Sequence, residues 1–113
     1  AHDPVSRQPT FTPFTVAPSI HNREEVVEAM EAEYPPLLRD AGIGGTVRVY
    51  FYINAEGRVE HTRIDQRSGH EALDRAALQV ASVYRFSPAL NGDEPVPVWV
   101  SFPISFQAGG DGS

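Results

Sequence analysis

The sequence contains no cysteine and no lysine, and these two absences narrow the kinds of site that it can carry. Without cysteine there is neither a disulfide framework nor a cysteine-ligated zinc site, and the absence fits the cytoplasm and the periplasm equally well. The nine basic residues are all arginines, spread singly along a chain whose net charge is −6. Because nucleic-acid binding needs a clustered basic surface, nucleic acid is not expected as a partner.

Long apolar runs are also missing. No run approaches the roughly 20 residues that a membrane-spanning helix needs, and no signal-peptide pattern opens the chain. Apolar residues make up 41% of the 113 residues, which is enough for one modest core. We therefore expect a single small domain, and because the chain begins with Ala1 we expect it to be a piece of a longer protein.

Composition divides the chain into three parts. Residues 1–21 are predicted to be an extended arm or linker, because prolines recur there among Ser and Thr: Pro4, Pro9, Pro13 and Pro18. Two outcomes are open for this arm, disorder or attachment to the domain surface through Phe11, Phe14 and Val16. The folded domain is predicted over residues 22–107, and a disordered tail over residues 108–113.

Two helices are predicted from capping signals. Asn22 and Glu25 have the spacing of an N-terminal cap with its reciprocal partner, so the first helix should begin near Arg23. Two adjacent prolines interrupt it, and a further turn should end at Gly42 with three side chains packed inward: Leu37, Leu38 and Ile43. Ser68 begins the same capping spacing before the second helix, which carries a stripe of mostly small apolar residues: Leu73, Ala76, Ala77, Val80, Ala81 and Tyr84.

Alternating apolar residues predict three strands. The strongest has four apolar residues on one face: Val47, Val49, Phe51 and Ile53. A compact turn leads to a second strand over residues 58–66, where Val59 and Ile64 share a face only if a bulge lies near residues 61–63. The last strand alternates from Val96 to Phe106. These elements predict an α+β domain, a three-stranded antiparallel sheet with two α-helices packed on one face, in which the first strand is central and the charged second strand lies at an edge.

Two prolines indicate which side of the last strand is unpaired. Pro97 and Pro103 are six residues apart, so both lack their N–H on the same side of the strand, and that side cannot be the hydrogen-bonded one. Trp99 and Ser101 lie between them and keep their N–H groups on the unpaired side. The prolines either protect an exposed edge from aggregation or bracket a docking slot for an extended peptide, and the two uses are compatible.

Candidate catalytic and metal sites are weak. Ser68, His70 and Asp74 have the residue types of a catalytic triad, but a helix start explains them better, with Asp74 on its solvated side. The four histidines show no ligand spacing, so no metal, cofactor or enzymatic activity is expected. A possible secondary binding surface lies on the other face of the central strand, at Arg48, Tyr50 and Tyr52. The alternative for this surface is burial under the arm or under a second copy of the chain.

Seven motifs follow one another along about two-thirds of the chain: Tyr34-Pro35, Gly45-Thr46-Val47, Gly57-Arg58-Val59, Ser68-Gly69, Leu73-Asp74-Ala76-Ala77, Arg85-Phe86-Pro88 and the final strand rich in Pro and Val. Each motif alone is weak, whereas the ordered set is specific. In this order the segment from Tyr34 to Phe106 resembles the C-terminal domain of TonB-type energy transducers.

The resemblance implies a non-catalytic periplasmic domain. It would be anchored to the inner membrane through an N-terminal segment absent from this chain, and that segment would connect it to an ExbB/ExbD-type motor driven by the proton gradient. The domain would bind the TonB box, a short extended peptide of outer-membrane TonB-dependent transporters, beside the last strand at Val96, Val98, Trp99, Val100, Ser101, Phe102 and Ile104. This is the same edge that the proline positions indicate.

The resemblance leaves two points open. Chains with this domain also occur as modules that bind peptidoglycan or are attached to a membrane sensor or peptidase, which is the alternative function. Retention on insoluble peptidoglycan would favour that alternative. The sequence also leaves open whether two copies exchange their last strands to form a homodimer.

Overall fold

A computed structural model of the chain describes residues 13–108. Within these residues, three helices and seven strands follow one another in this order: β1 (Ser19–Ile20), α1 (Arg23–Glu33), α2 (Pro36–Asp40), β2 (Gly45–Ile53), β3 (Val59–Gln66), α3 (Glu71–Ala81), β4 (Phe86–Ser87), β5 (Ala89–Asn91), β6 (Glu94–Val96) and β7 (Val98–Phe106). No helix in this part of the chain is long and apolar enough to span a membrane.

The main sheet has three antiparallel strands in the order β3-β2-β7, which makes β2 central and leaves the other two strands at its edges. The predicted α+β fold and strand order are confirmed. Two short ribbons, β1 with β4 and β5 with β6, lie outside the sheet. The charged strand β3 lies at an edge, where most of its side chains stay exposed.

The core lies between one face of this sheet and the helices. The four apolar residues predicted on the inner face of β2 are completely buried, as are most residues of the small-residue stripe on α3. Small side chains let α3 pack closely over β2 and β3. Tyr84 follows α3 into this core, where burial raises the pKa of its phenol while the charge of Arg23 acts in the opposite direction. The phenol is therefore neutral at physiological pH.

The first helix begins at Arg23 as predicted, but Asn22 does not cap it with its side chain. The Asn22 amide oxygen instead accepts the backbone N–H of Arg85 at 2.9 Å, and its amide nitrogen donates to the Val83 carbonyl at 2.8 Å and to Glu25 at 2.7 Å. The predicted cap is wrong because a long-range partner competes for the same oxygen. Asn22 ties the start of α1 to the segment that leaves α3.

The turn after the two adjacent prolines is the short helix α2, which ends before Gly42. Leu38 packs against the core and Ile43 is half-buried, but Leu37 is 84% exposed, so its predicted inward packing is wrong. Successive helical residues are rotated by about 100°, and a helix of five residues has only one inward side. Leu38 is on this inward side, and Leu37 points into solvent.

The second strand contains the irregularity that its sequence required. Val59 pairs with Ile53 and Ile64 pairs with Val49, and the extra residue between them is Glu60, which lies just before the predicted position. A second shift in register occurs at Asp65. Each bulge leaves one residue of β3 without a directly opposite partner, and the first one brings Val59 and Ile64 to the same face.

The described part of the predicted arm lies on the domain. Thr15 and Val16 donate their backbone N–H groups to the Leu90 carbonyl at 2.7 and 3.0 Å, and β1 pairs with β4. Phe14 packs against the core, whereas Val16 is 49% exposed and is held by its backbone. Phe11 lies outside the described residues. The domain boundaries at residues 22 and 107 stay predictions.

Candidate functional site

The strand β7 forms one edge of the main sheet. It pairs with β2 along its whole length, from Val98 opposite Ile53 to Phe106 opposite Gly45. No strand within residues 13–108 pairs with the other side of β7. A strand edge of this kind presents unpaired backbone N–H and C=O groups, to which another extended chain can add.

The predicted last strand is divided at Pro97. Val96 belongs to β6 and pairs with Ala89 of the neighbouring ribbon, whereas β7 begins only at Val98. Pro97 has no N–H and ends the ladder of the ribbon, so the chain changes partner there. Val96 therefore lies outside the β7 edge, and the prediction of one continuous strand is wrong at its first two residues.

Pro103 lies inside β7, directly opposite Arg48. Opposite residues in an antiparallel pair alternate between those that exchange two hydrogen bonds and those whose backbone groups point away from each other. A proline preserves the ladder only at the second kind of position. Trp99 and Ser101 have the same parity as Pro103, so their N–H and C=O groups point outward, away from β2.

Side chains on β7 alternate between the two faces of the sheet. Val98 and Ile104 are buried in the core, and Val100 and Phe102 are half-buried on the same side. Phe102 places its ring 5.4 Å from that of Phe86. These four residues of the predicted peptide-binding set support the edge from the helix side, while Trp99 and Ser101 are on the opposite, open face.

The predicted secondary surface is on this open face, beside the β7 edge. Tyr50 pairs with Ser101 and Tyr52 pairs with Trp99, while Arg48 pairs with Pro103. All three residues of the surface are half-buried. The arm residues 13–21 form backbone hydrogen bonds with β4, β5 and Arg85 instead.

A polar network crosses the open face from one edge strand to the other. The Ser101 hydroxyl donates to the Asp65 carboxylate at 3.0 Å, and the Arg48 guanidinium lies 3.9 Å from the same carboxylate. Arg48 also donates to the Ser101 carbonyl at 3.4 Å. Asp65 is the extra residue of the second bulge in β3, and this bulge directs the Asp65 side chain across β2. Sequence reasoning missed Asp65, because only the first bulge is indicated by the sequence, through the five-residue spacing of Val59 and Ile64.

The three residue types of a catalytic triad form a different arrangement. The Asp74 carboxylate, only 5% exposed, accepts the backbone N–H of Ser68 at 2.8 Å and the Ser68 hydroxyl at 2.9 Å. Ser68 also accepts the backbone N–H of His70. The helix begins after His70, so Ser68 is not its cap residue. Asp74 was predicted on the solvated side of the helix, but it is buried. No imidazole lies between serine and carboxylate, so this cluster fixes the loop before α3.

Replacing Asp74 by Ala is expected to lower the free energy of unfolding by about 2 to 3 kcal/mol, because Ser68 loses a charged acceptor for two donors. Urea denaturation followed by far-UV circular dichroism measures the change. The control is Glu71→Ala, which removes an exposed ion pair with Arg75 on the same helix and should change stability by less than about 0.5 kcal/mol. Equal small effects of both substitutions would contradict a structural role for Asp74.

A groove of about 490 Å³ lies between α1 and the end of β7. Its walls include Val27, Met30 and Phe106, and the Arg39 guanidinium there lies over the Tyr34 ring at 5.1 Å. Arg39 also donates to a backbone carbonyl of α1. Within residues 13–108, no group of three or more acidic or histidine side chains is arranged to hold a metal ion.

Comparison with known proteins gives a consistent result. The family described as Gram-negative bacterial TonB protein C-terminal matches residues 30–108. Protein tonB2 of Pseudomonas aeruginosa is 39% identical over 75 residues, 66% of this chain and 28% of that protein. Protein TonB of Vibrio cholerae is 32% identical over 97 residues, 85% of this chain and 40% of that protein.

A solved structure is also similar. The NMR solution structure of the TonB C-terminal domain of Helicobacter pylori aligns with a TM-score of 0.43 and 23% sequence identity, over 75% of this chain and 78% of that chain. The chain spans less than half the length of the two curated relatives, 28% and 40%. With the family matching residues 30–108, the chain belongs to the TonB C-terminal domain family.

Proposed function

We propose that the domain binds the TonB box of outer-membrane TonB-dependent transporters, which adds as a strand beside β7, and that it couples the inner-membrane proton motive force to nutrient import. The domain acts in the periplasm. An N-terminal segment outside this chain anchors it to the inner membrane and connects it to an ExbB/ExbD-type motor. The observation that carries the proposal is the unpaired edge of β7 in a chain of this family.

The chemistry of the edge suits an extended peptide. Trp99 and Ser101 present outward donors and acceptors at alternate positions, whereas Pro103 offers only its carbonyl. An added strand therefore finds outward donors at Trp99 and Ser101 and none at Pro103. About four to six backbone hydrogen bonds of roughly 0.5 to 1.5 kcal/mol each, with one or two side-chain contacts, give a dissociation constant on the order of micromolar.

Modest equilibrium affinity is compatible with mechanical coupling. When a peptide lies alongside β7 and is pulled along the strand direction, its hydrogen bonds are loaded in shear and share the force. The same pairing separates spontaneously when no force acts, because its equilibrium affinity is low. An edge strand therefore permits a linkage that is made and broken repeatedly.

Substituting Ser101 by Pro is expected to weaken binding of a synthetic TonB-box peptide at least about tenfold, because it removes an outward donor from the middle of the edge. Titration of 15N-labelled protein measures the binding, and the amides of Trp99 and Ser101 should shift most in the wild-type protein. A peptide with N-methyl groups on alternate residues tests the same bonds without altering the protein, and it should bind correspondingly more weakly.

The matched control is Thr62→Pro on the other edge of the sheet. Thr62 lies opposite Phe51, whose backbone groups bond to β7, so the groups of Thr62 point away from β2. This substitution places a proline at an outward position of β3 and should leave peptide binding intact. No shift at Trp99 and Ser101 with millimolar peptide, or equal loss of binding in both proline variants, would reject the proposal.

A further inference from the structure

A row of aromatic rings crosses the open face of the sheet at right angles to the strands. His61 on β3 lies opposite Tyr52 on β2, and Tyr52 lies opposite Trp99 on β7. The ring centroids are 6.4 Å apart in the first pair and 5.2 Å apart in the second. Tyr50 supports the Trp99 ring from the side in an edge-to-face contact at 6.4 Å.

The row ends at the unpaired edge of β7. A strand added there lies about 4.8 Å from β7, and the residue opposite Trp99 projects its side chain onto the same open face, with its Cβ about 5 Å from that of Trp99. In the existing row, each ring contacts a ring on the neighbouring strand. An aromatic residue opposite Trp99 on the added strand would be the fourth member.

We propose that this row makes the β7 edge select extended peptides with an aromatic side chain at the residue that pairs with Trp99. The inference rests on the proposed function, because it assumes that the peptide adds beside β7. It goes beyond that function by stating which side chain the peptide must carry and which residues of the domain recognise it.

The polar residues next to the aromatic row explain why the preference is confined to one peptide position. Two residues further along β7, the open face carries Ser101, whose hydroxyl donates to Asp65, with the Arg48 guanidinium beside them. An aromatic ring over this network would cover charged and polar groups that need solvent or hydrogen-bond partners. An aromatic residue is therefore favoured opposite Trp99, and a polar or small residue is favoured opposite Ser101.

Two synthetic peptides test the inference. Both have seven residues of alternating Thr and Val with blocked ends, and they differ only in Phe or Thr at the central position. Trp99 is the single tryptophan of the chain, and neither peptide contains one, so its fluorescence reports directly on the proposed contact. The Phe peptide is expected to bind about threefold to tenfold more tightly than the Thr peptide, as one aromatic pair provides.

Two variants locate the preference on one face of the sheet. In Trp99→Leu, which keeps an apolar residue but removes the ring, the ratio of the two dissociation constants should fall to about one, measured by NMR titration. In Phe102→Leu, which removes a ring from the helix side of the same strand, the ratio should persist. Nuclear Overhauser contacts between the peptide ring and the Trp99 indole should appear in the wild-type complex.

The outcomes separate the inference from the function on which it rests. Equal affinity of both peptides at the β7 edge would overturn the aromatic preference and leave strand addition intact. A preference that survives in Trp99→Leu and disappears in Phe102→Leu would also overturn it, because the peptide ring would then lie on the helix side. If neither peptide shifts the amides of β7 at millimolar concentration, strand addition itself fails together with the inference.

Discussion

Replacing Phe51 by Ala should lower the free energy of unfolding by about 3 to 5 kcal/mol, which is a large part of the total stability of a domain of this size. Phe51 is completely buried in the middle of the central strand. Its ring lies 4.9 Å from that of Tyr84, 5.5 Å from Phe86 and 5.9 Å from Phe102. Removing it leaves a cavity between the sheet and the helix side, because a sheet fixed by hydrogen bonds on both sides of β2 cannot collapse into the space.

Urea denaturation followed by far-UV circular dichroism measures this loss, and Leu37→Ala is the matched control. Both substitutions remove a large apolar side chain, but Leu37 is 84% exposed on α2, so its loss should change stability by less than about 0.5 kcal/mol. A cost below about 1 kcal/mol for Phe51→Ala would mean that its ring does not hold the core together.

Replacing Gly57 by Ala is expected to destabilise the domain by at least about 3 kcal/mol, or to prevent folding. The backbone of Gly57 has φ +89°, and a Cβ atom there would lie 1.9 Å from the backbone carbonyl oxygen of Phe86. Phe86 also donates its N–H to the Gly57 carbonyl at 3.0 Å, so the two segments cannot move apart without losing this bond. The substitution therefore adds a backbone collision to the strain of a positive φ.

Gly42→Ala separates these two causes. Gly42 also has a positive φ, +76°, but a Cβ atom there would meet nothing within 4 Å. Its substitution should cost only about 1 kcal/mol from conformational strain. Thermal denaturation of both variants measures the difference, and equal losses would show that the close approach of Gly57 to Phe86 contributes nothing.

The sequence was informative wherever the determining pattern lies within one element. Strict alternation in β2 predicted a central strand, and the five-residue spacing of Val59 and Ile64 predicted a bulge close to the one at Glu60. The parity of Pro103 agrees with an unpaired outer side of β7, because a proline without an N–H restricts the geometry of its own strand whatever surrounds it. Periodicity and backbone donors are local properties, so local sequence carries them.

Two predictions about side chains near helix starts were wrong. The capping spacing at Asn22 suggested a local cap, but besides its bond to Glu25 the side chain bonds to Val83 and Arg85, more than 60 residues away in the chain. Asp74 was expected in solvent and is buried against Ser68. Val83 and Arg85 come near Asn22 only through the packing of α1 against α3, which no local pattern encodes, whereas Ser68 is six residues from Asp74 and their contact is local.

The sequence by itself determined the α+β class, the order of the three main strands and the side of the last strand that stays unpaired, because alternation and proline chemistry act within each strand. Only the tertiary structure decided that the chain changes partner at Pro97 and that Asp65 reaches Ser101 across the sheet. It also aligned His61, Tyr52 and Trp99 in one row. These contacts depend on the register between strands, which the turns, bulges and core packing set together.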